Sequence, residues 1–332
     1  MKRNLLLTLA LIFILACNLP ADPPPPLTIQ TLEAQASAIP ATPPSDPSPV
    51  SITPTFSIPA ADAPTGKIVY TCQVGNAGNF LCLINADGTG FRQLTTDFVK
   101  RWYPSLSPDG GSVIYSAYAE DYVYEIYELN LASGETTQLT SKLGILKAPE
   151  ISPNGNLIAF NLGTKNDGEE VWLMDRNGAN PRKIYNRGWD PSWSPDGTQI
   201  LFASDYQGAT QLYTINLDGS NLRRVTNFDS LRGRSDWSPD GQWMVTYNGE
   251  AWKREIYIFR PDFTDVRQLT PKDGNSQGPG FSPDGKWVVF TAYFDHPGDD
   301  LGCEIYIIRV DGTDKRRLTD NAYCDYQPRW GP

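Results

Sequence analysis

Short apolar runs recur between residues 66 and 332, and they predict β-strands. One group, which includes Ile200-Leu201-Phe202-Ala203, is continuous rather than alternating, and this is typical of strands that are covered on both faces. A second group, such as Ile256-Tyr257-Ile258-Phe259, follows the first after a short polar stretch. Because the runs are short and rich in β-branched and aromatic residues, the pattern predicts an all-β domain.

Polar turns separate these strands at a regular interval. Five times the chain contains Ser-Pro-Asp-Gly or its variant Ser-Pro-Asn-Gly, in which Pro fixes φ and the following pair permits chain reversal. The serines are Ser107, Ser152, Ser194, Ser238 and Ser282, and they are 45, 42, 44 and 44 residues apart. Such a fixed period indicates repeats of one structural unit.

Each repeat contains four predicted strands. The first ends at the Ser-Pro-Asp-Gly turn, and the two apolar runs follow it as the second and third strands. A further turn, such as Asp218-Gly219, leads to a fourth strand that often carries Arg-Gln-Leu-Thr, as at 267–270. Four strands in about 44 residues are the sequence signature of a propeller blade.

The two ends of the repeat region complement each other. The unit that begins at Gly66 lacks a first strand, whereas the C-terminal stretch 326–332 reads as a first strand that stops where its turn would begin. Pairing them would complete a sixth blade and leave no exposed sheet edge. The sequence therefore predicts a six-bladed β-propeller that is closed by strands from both termini.

These motifs carry a family resemblance. The stretch Pro191-Ser192-Trp193-Ser194-Pro195-Asp196-Gly197, the later Ile-Tyr and the final Arg-Gln-Leu-Thr resemble the WD40-like, or PD40, repeat of TolB-type propellers. The resemblance covers 66–332 and implies a six-bladed scaffold without implying a reaction. The chain differs from TolB in lacking an α/β domain before the propeller, so the resemblance does not carry over TolB's role in envelope assembly.

The first 65 residues differ in character from the repeats. Residues 1–17 combine a basic start, a short apolar core and Ile14-Leu15-Ala16-Cys17, which resembles the lipobox of a bacterial lipoprotein signal peptide. The alternative is a spare cysteine at the end of an uncleaved anchor. Residues 18–65 are rich in Pro, Ala, Ser and Thr and predict a disordered tether. We therefore expect a domain that is lipid-anchored through Cys17 on the extracytoplasmic side of a bacterial membrane, at the cell surface or in the periplasm.

Composition narrows the class of partner. The chain has 332 residues, of which 40% are hydrophobic, and a formal net charge of -10. A chain of this length and hydrophobic content can form one sizeable core. A nucleic-acid-binding protein needs clustered Lys and Arg, and the negative net charge argues against such a surface. We expect a monomer that does not bind nucleic acid.

Four cysteines lie in the repeat region. An even number outside the cytoplasm favours disulfides, and three pairings are possible. The strand positions favour pairing Cys72 with Cys82 and Cys303 with Cys324. A zinc site built from all four is the alternative, but no Cys-x-x-Cys spacing is present.

One insertion interrupts the repeat, between Asp295 and Cys303. It carries the single histidine, His296, together with Asp295, Asp299 and Asp300, which are weak candidates for a metal site. The alternative interpretation is a solvated acidic loop. A single histidine and the absence of a Gly-x-Ser-x-Gly motif argue against a Ser-His-Asp hydrolase, and neither a catalytic residue nor a cofactor is predicted.

Aromatic and basic residues recur in the loops before each first strand and between the second and third strands. Blade topology places both sets of loops on one face, and such residue types dominate binding hot spots. The candidates are Arg101, Trp102, Tyr103, Lys147, Trp189, Asp190, Arg234, Trp252, Tyr293 and Tyr326.

Two functions fit this pattern. The first is a non-enzymatic module that binds a protein or peptide through the loop-rich face. The alternative is a carbohydrate-binding or polysaccharide-lyase-like protein, because aromatic rings suit sugar stacking and related propellers occur in oligogalacturonate lyases. The two differ in whether a metal or catalytic cluster is present.

Overall fold

The computed structural model describes residues 63–74, 78–120, 123–163, 168–272, 274–293 and 302–332. The predicted signal peptide with Cys17, the tether up to residue 62, and Asp295, His296, Asp299 and Asp300 lie outside the described residues. The described part contains 24 β-strands. Within the same ranges, the structure contains no helix with the length and hydrophobicity of a membrane span.

The strands follow one another in chain order as β1 (Lys67–Gln73), β2 (Asn79–Asn85), β3 (Arg92–Gln93), β4 (Arg101–Leu106), β5 (Ser112–Glu120), β6 (Val123–Asn130), β7 (Thr136–Gln138), β8 (Ile145–Ile151), β9 (Leu157–Gly163), β10 (Glu169–Asp175), β11 (Arg182–Tyr185), β12 (Trp189–Trp193), β13 (Gln199–Ser204), β14 (Gln211–Asn216), β15 (Arg223–Arg224), β16 (Leu231–Trp237), β17 (Met244–Asn248), β18 (Glu255–Phe259), β19 (Arg267–Gln268), β20 (Ser276–Phe281), β21 (Trp287–Tyr293), β22 (Cys303–Arg309), β23 (Arg316–Arg317) and β24 (Asp325–Gly331).

These strands form antiparallel sheets of four. Three sheets have the simple orders β12-β13-β14-β15, β16-β17-β18-β19 and β20-β21-β22-β23. Two further units, β4 to β7 and β8 to β11, are joined into one eight-stranded sheet by a single parallel pairing of Tyr124 with Ile145. For the residues that the structure describes, the prediction of an all-β domain built from four-stranded sheets is confirmed.

The first and last strands share one sheet. Its order is β24-β1-β2-β3, and Ile68 pairs with Trp330 in an antiparallel ladder. The indole Nε1 of Trp330 also donates a hydrogen bond of 2.8 Å to the carbonyl oxygen of Thr65. The C-terminal strand therefore supplies the position that the N-terminal unit lacks.

The first strand of each sheet, namely β4, β8, β12, β16, β20 and β24, is here called an inner strand. Each inner strand contacts the next one in chain order, and β24 contacts β4. Each also has a register shift against its neighbour in the sheet, as between Trp102 and Ser105 or between Lys147 and Glu150. Such bulges twist a strand and re-aim its side chains.

The Ser-Pro-Asp-Gly turns are held by their own side chains. Ser194 Oγ donates to Asp196 Oδ1 at 2.6 Å and accepts the backbone N–H of Gln199 at 2.9 Å. Gly197 has a φ of 69°, in the left-handed region that favours glycine. The hydrogen bond from Ser194 lowers the pKa of Asp196. The motif therefore builds the scaffold.

The hydrophobic core lies between neighbouring sheets. One cluster packs Val171 and Leu173 of one sheet against Trp193, Ile200 and Phe202 of the next. The tryptophan is buried, and its Nε1 donates to the backbone carbonyl of Glu150 at 3.0 Å. Continuous apolar strands are needed because each sheet is covered on both faces.

Candidate functional site

The sheets present two different ends. One end carries the loops between second and third strands and the loops that lead from a fourth strand to the next inner strand; we call it the loop face. The opposite end, the turn face, carries the Ser-Pro-Asp-Gly turns and the turns between third and fourth strands. The pairing of Cys72 with both Phe80 and Asp325 places the two kinds of loop at the same end.

Most sequence candidates lie in strands, and this corrects the expectation that they lie in loops. The inner strands contain Arg101, Trp102, Tyr103, Lys147, Trp189, Asp190, Arg234 and Tyr326. The inner ladders continue past the bulges toward the loop face, as the pairing of Arg101 with Ala117 shows. Tyr293 is the last residue of β21, and Trp252 lies in the loop between β17 and β18.

Arg101 is part of the scaffold. Its side chain is buried, and its Nη1 and Nη2 donate to the two carboxylate oxygens of Asp97 at 2.6 and 2.9 Å. The hydrogen bond with this arginine lowers the pKa of Asp97. Its neighbour Trp102 packs against Tyr124, with ring centroids 5.1 Å apart. These two candidates, Arg101 and Trp102, therefore hold the start of β4 in place.

Exposed apolar side chains concentrate on the loop face. Among the described residues, the large hydrophobic side chains exposed there are Val74, Phe98, Val99, Tyr118, Leu143, Tyr206, Trp252 and Tyr323. Those exposed elsewhere are Phe91, Leu222 and Val266, all in turns between third and fourth strands. Clustered exposed apolar residues mark interaction surfaces, whereas scattered ones do not.

Trp252 is the most unusual member of this group. Its side chain is 64% exposed, and its φ of 66° lies in the left-handed region. A bulky residue rarely adopts this conformation, and such strain clusters at functional sites. The ring of Tyr293 meets it edge-on at a centroid distance of 6.2 Å. The backbone of Trp252 is therefore strained, and the side chain is exposed on the loop face.

Polar side chains of the inner strands form hydrogen bonds both within a sheet and between neighbouring sheets. Lys147 Nζ donates to Glu169 Oε1 at 2.7 Å, and Asn161 donates to the other oxygen of the same carboxylate. Burial raises the pKa of Glu169. Between two neighbouring sheets, the backbone N–H of Arg234 in β16 donates to Asp190 Oδ2 in β12 at 3.1 Å. Asp190 has a φ of 50° at the bulge, and this turns its carboxylate toward β16.

A second layer of charge lies closer to the turn face. Asp236 accepts the backbone N–H groups of Trp237 at 2.9 Å and of Phe281 at 2.8 Å. Arg329 donates through Nη1 to the carbonyl of Pro279 at 3.0 Å, and its Nη2 lies 3.8 Å from Glu150 Oε2. Burial raises the pKa of Asp236, and it raises the pKa of Glu150 to about 7.

Three charged residues of this layer, Glu150, Asp236 and Arg329, are not among the candidates predicted from the sequence. All three stand two residues before the serine position of the repeat, where β4, β12 and β20 have Ser105, Ser192 and Gly280. Charged residues at a fixed register of the inner strand are the signal that could have identified them. We call Glu150, Asp190, Arg234, Asp236 and Arg329 the inner charge cluster.

The structure joins Cys72 to Cys82 and Cys303 to Cys324 by disulfides, with Cα atoms 5.8 and 4.4 Å apart. The first bond crosses the β1–β2 pair, and the second ties β22 to the loop that precedes β24. In the described ranges, no group of three or more His, Cys, Asp or Glu side chains could hold a metal ion.

Comparison with known proteins defines the class of the chain. Residues 62–332 match the model of the PD40 family, described as the TolB beta propeller domain, and the chain belongs to this family. It is 31% identical over 175 residues to the Tol-Pal system protein TolB of Francisella tularensis subsp. tularensis, covering 37% of this chain and 40% of that protein.

Two further similarities agree with this assignment. Atu1656 of Agrobacterium fabrum is 29% identical over 165 residues, covering 46% of this chain and 54% of that protein. The crystal structure of TolB from Acinetobacter baumannii superimposes with a TM-score of 0.71 at 24% identity, covering 80% of this chain and 67% of that chain. The matched segments span about half or less of the curated relatives. At 24% identity, the similarity to the Acinetobacter structure shows the fold alone.

Proposed function

We propose that this protein is a lipid-anchored, extracytoplasmic, six-bladed propeller that binds a protein or peptide through its loop face without catalysing a reaction. The four-stranded sheets, the pairing of β24 with β1 and the contact of β24 with β4 support six blades in a closed ring. The lipobox-like end at Cys17 and the Pro-rich stretch 18–65 support the anchor and tether.

One observation carries the binding assignment: among the described residues, eight of the eleven exposed large hydrophobic side chains lie on the loop face. Phe98 is 79% exposed and Trp252 is 64% exposed. Exposing such groups to water costs roughly 25 cal/mol per Å², and covering them with a partner recovers that free energy. Aromatic residues that a partner can bury also supply most of the energy of protein interfaces.

The polar groups beneath this surface suit recognition of a partner. Lys147 and Glu169 are held by each other, and Asp190 is held by the backbone of β16. Groups fixed in this way lose little entropy when they meet a partner. The apolar loops would supply affinity, and these fixed polar groups would supply specificity.

Quantitative affinity capture from native membranes tests this function. The full-length chain is compared with a loop-face variant carrying Phe98→Ser, Leu143→Ser, Tyr206→Ser and Trp252→Ser. The matched control carries Phe91→Ser, Leu222→Ser and Val266→Ser, which remove apolar side chains outside the loop face. We expect the co-purified partner to fall at least tenfold with the loop-face variant only. Equal recovery with both variants would contradict the proposal.

A further inference from the structure

The guanidinium of Arg234 is a buried cation with unused donors. Arg234 is 6% exposed, and its Nε and Nη1 atoms are buried without a hydrogen-bond partner among the described residues. Burying N–H groups of a charged side chain without acceptors costs free energy. An arginine that keeps this arrangement is suited to a ligand that brings the acceptors.

The side chain extends into the space between the inner strands. Its Cζ lies 5.8 Å from the centroid of the Tyr103 ring. Tyr103 is in β4 and Arg234 is in β16, three places apart in the order of inner strands. This contact therefore reaches across the centre of the propeller.

Two glycines of β20 leave room for the arginines. A Cβ atom at Gly278 would lie 3.8 Å from Cδ of Arg234, and one at Gly280 would lie 3.3 Å from Nη1 of Arg329. Larger side chains at these two positions would fill the space beside both guanidinium groups. Glycine at both positions therefore places no side chain of β20 against either arginine.

The neighbouring carboxylates are engaged elsewhere. Asp236 accepts two backbone N–H groups, and Asp190 accepts the backbone N–H of Arg234 rather than its guanidinium. Glu150 faces Arg329, and burial raises the pKa of Glu150 to about 7. Burial and then repulsion by Arg329 lower the pKa of Arg234 to about 10, so the guanidinium remains charged at neutral pH.

We propose that Arg234 binds a carboxylate group, presented by an acidic side chain or the C-terminus of the partner that docks on the loop face. Planar guanidinium groups pair with carboxylates through two parallel N–H donors, and Nε with one Nη forms such a fork. Arg234 precedes Asp236 in β16 and lies nearer the loop face. This inference rests on the proposed function because it names the chemistry of the same partner.

Isothermal titration of the full-length protein in detergent tests the proposal. The probes are the tripeptide Gly-Ala-Ala with a free C-terminus, the same peptide with a C-terminal amide, and sodium acetate, all at constant ionic strength. We expect the free-acid peptide to bind at least tenfold more tightly than the amide. The variant Arg234→Gln should abolish that difference, and Arg234→Lys should reduce it, because lysine keeps the charge without the fork.

The matched control is Arg232→Gln, which removes an exposed arginine from the same strand and should leave the preference unchanged. Equal binding of acid and amide, no binding of either, or a preference that survives Arg234→Gln would overturn the proposal. Acetate binding as tight as that of the peptide would assign the site to small free carboxylates instead of a partner. Loss of partner capture with an intact carboxylate preference would contradict the proposed function alone.

Discussion

Trp330 donates its indole N–H to the carbonyl oxygen of Thr65 at 2.8 Å, so the last strand binds the residues that lead into the first. We expect a chain truncated after Cys324, which removes β24, to lose cooperative thermal unfolding because β1 would be left as an unpaired edge. Trp330→Phe, which removes this hydrogen bond and the pyrrole part of a buried indole, should cost at least about 0.5–1.5 kcal/mol. A truncated chain that unfolds at the full-length midpoint would contradict a structural role for β24.

The two disulfides should each stabilise the domain. They close segments with sequence separations of 10 and 21 residues, and loops of this size contribute roughly 2–4 kcal/mol. Paired replacements, Cys72→Ala with Cys82→Ala and Cys303→Ala with Cys324→Ala, should each lower the free energy of unfolding in urea by an amount in this range. No loss in either variant under oxidising conditions would show that the bonds are dispensable.

The threonine of Arg-Gln-Leu-Thr should clamp the fourth strand to the third. Thr270 Oγ1 accepts the N–H of Ile256 and donates to Glu255 Oε2, both at 2.9 Å. Thr140 makes the equivalent contacts with Ile126 and Glu125. We expect Thr270→Val to cost roughly 1–3 kcal/mol in urea unfolding, because a buried N–H and a buried carboxylate each lose a partner. Thr270→Ser should recover most of the loss, and equal stability of the two variants would argue against the clamp.

Stability should depend on pH through Asp325. Burial and the nearby Glu304 raise the pKa of Asp325 to about 7 from an ordinary value near 3.8. Because the folded state holds this proton more tightly than the unfolded chain, the contribution is complete below about pH 4 and is lost as the pH rises through 7. Its slope is at most about 1.4 kcal/mol for each pH unit.

Urea unfolding between pH 4.5 and 8, on the wild type and on Asp325→Asn, measures this contribution. The stability of the wild type relative to the variant should fall as the pH rises. The control Asp320→Asn removes an exposed carboxylate of the neighbouring loop. This variant should show the same dependence of stability on pH as the wild type. A difference that grows with pH would mean that Asp325 is stabilised in its charged form.

The sheets could be predicted from sequence because their signals are local. The side chains of Ser194 and Asp196 make the hydrogen bonds that hold the Ser-Pro-Asp-Gly turn. The turn can therefore be predicted from the sequence of a single repeat. The turn at Phe263 lacks this local signal, because Phe263 stands where the other repeats have glycine. It keeps a φ of 62° and packs against Phe228 and Phe259 at centroid distances of 5.1 and 5.5 Å. Tertiary packing there stabilises a conformation that the local sequence disfavours.

The candidate site could be predicted only in part. Residue type and repeat position identified Asp190, Arg234 and Trp252. Glu150 and Arg329, however, are separated by 179 positions in the chain and come together only when inner strands two places apart are arranged around one centre. The bulges also decide which way each side chain points, and their positive φ values fall on residues such as Tyr103 and Asp190 that carry no turn signal.

The central claim is that the loop face is covered by a partner, and site-specific photo-cross-linking in the native membrane tests it most directly. A benzophenone side chain is placed at Tyr206 or Trp252 on the loop face, and at Phe91 or Leu222 outside it; all four positions are exposed. We predict one discrete protein adduct from the two loop-face positions and none from the other two. Adducts that form equally at all four positions, or only at Phe91 and Leu222, would contradict the account.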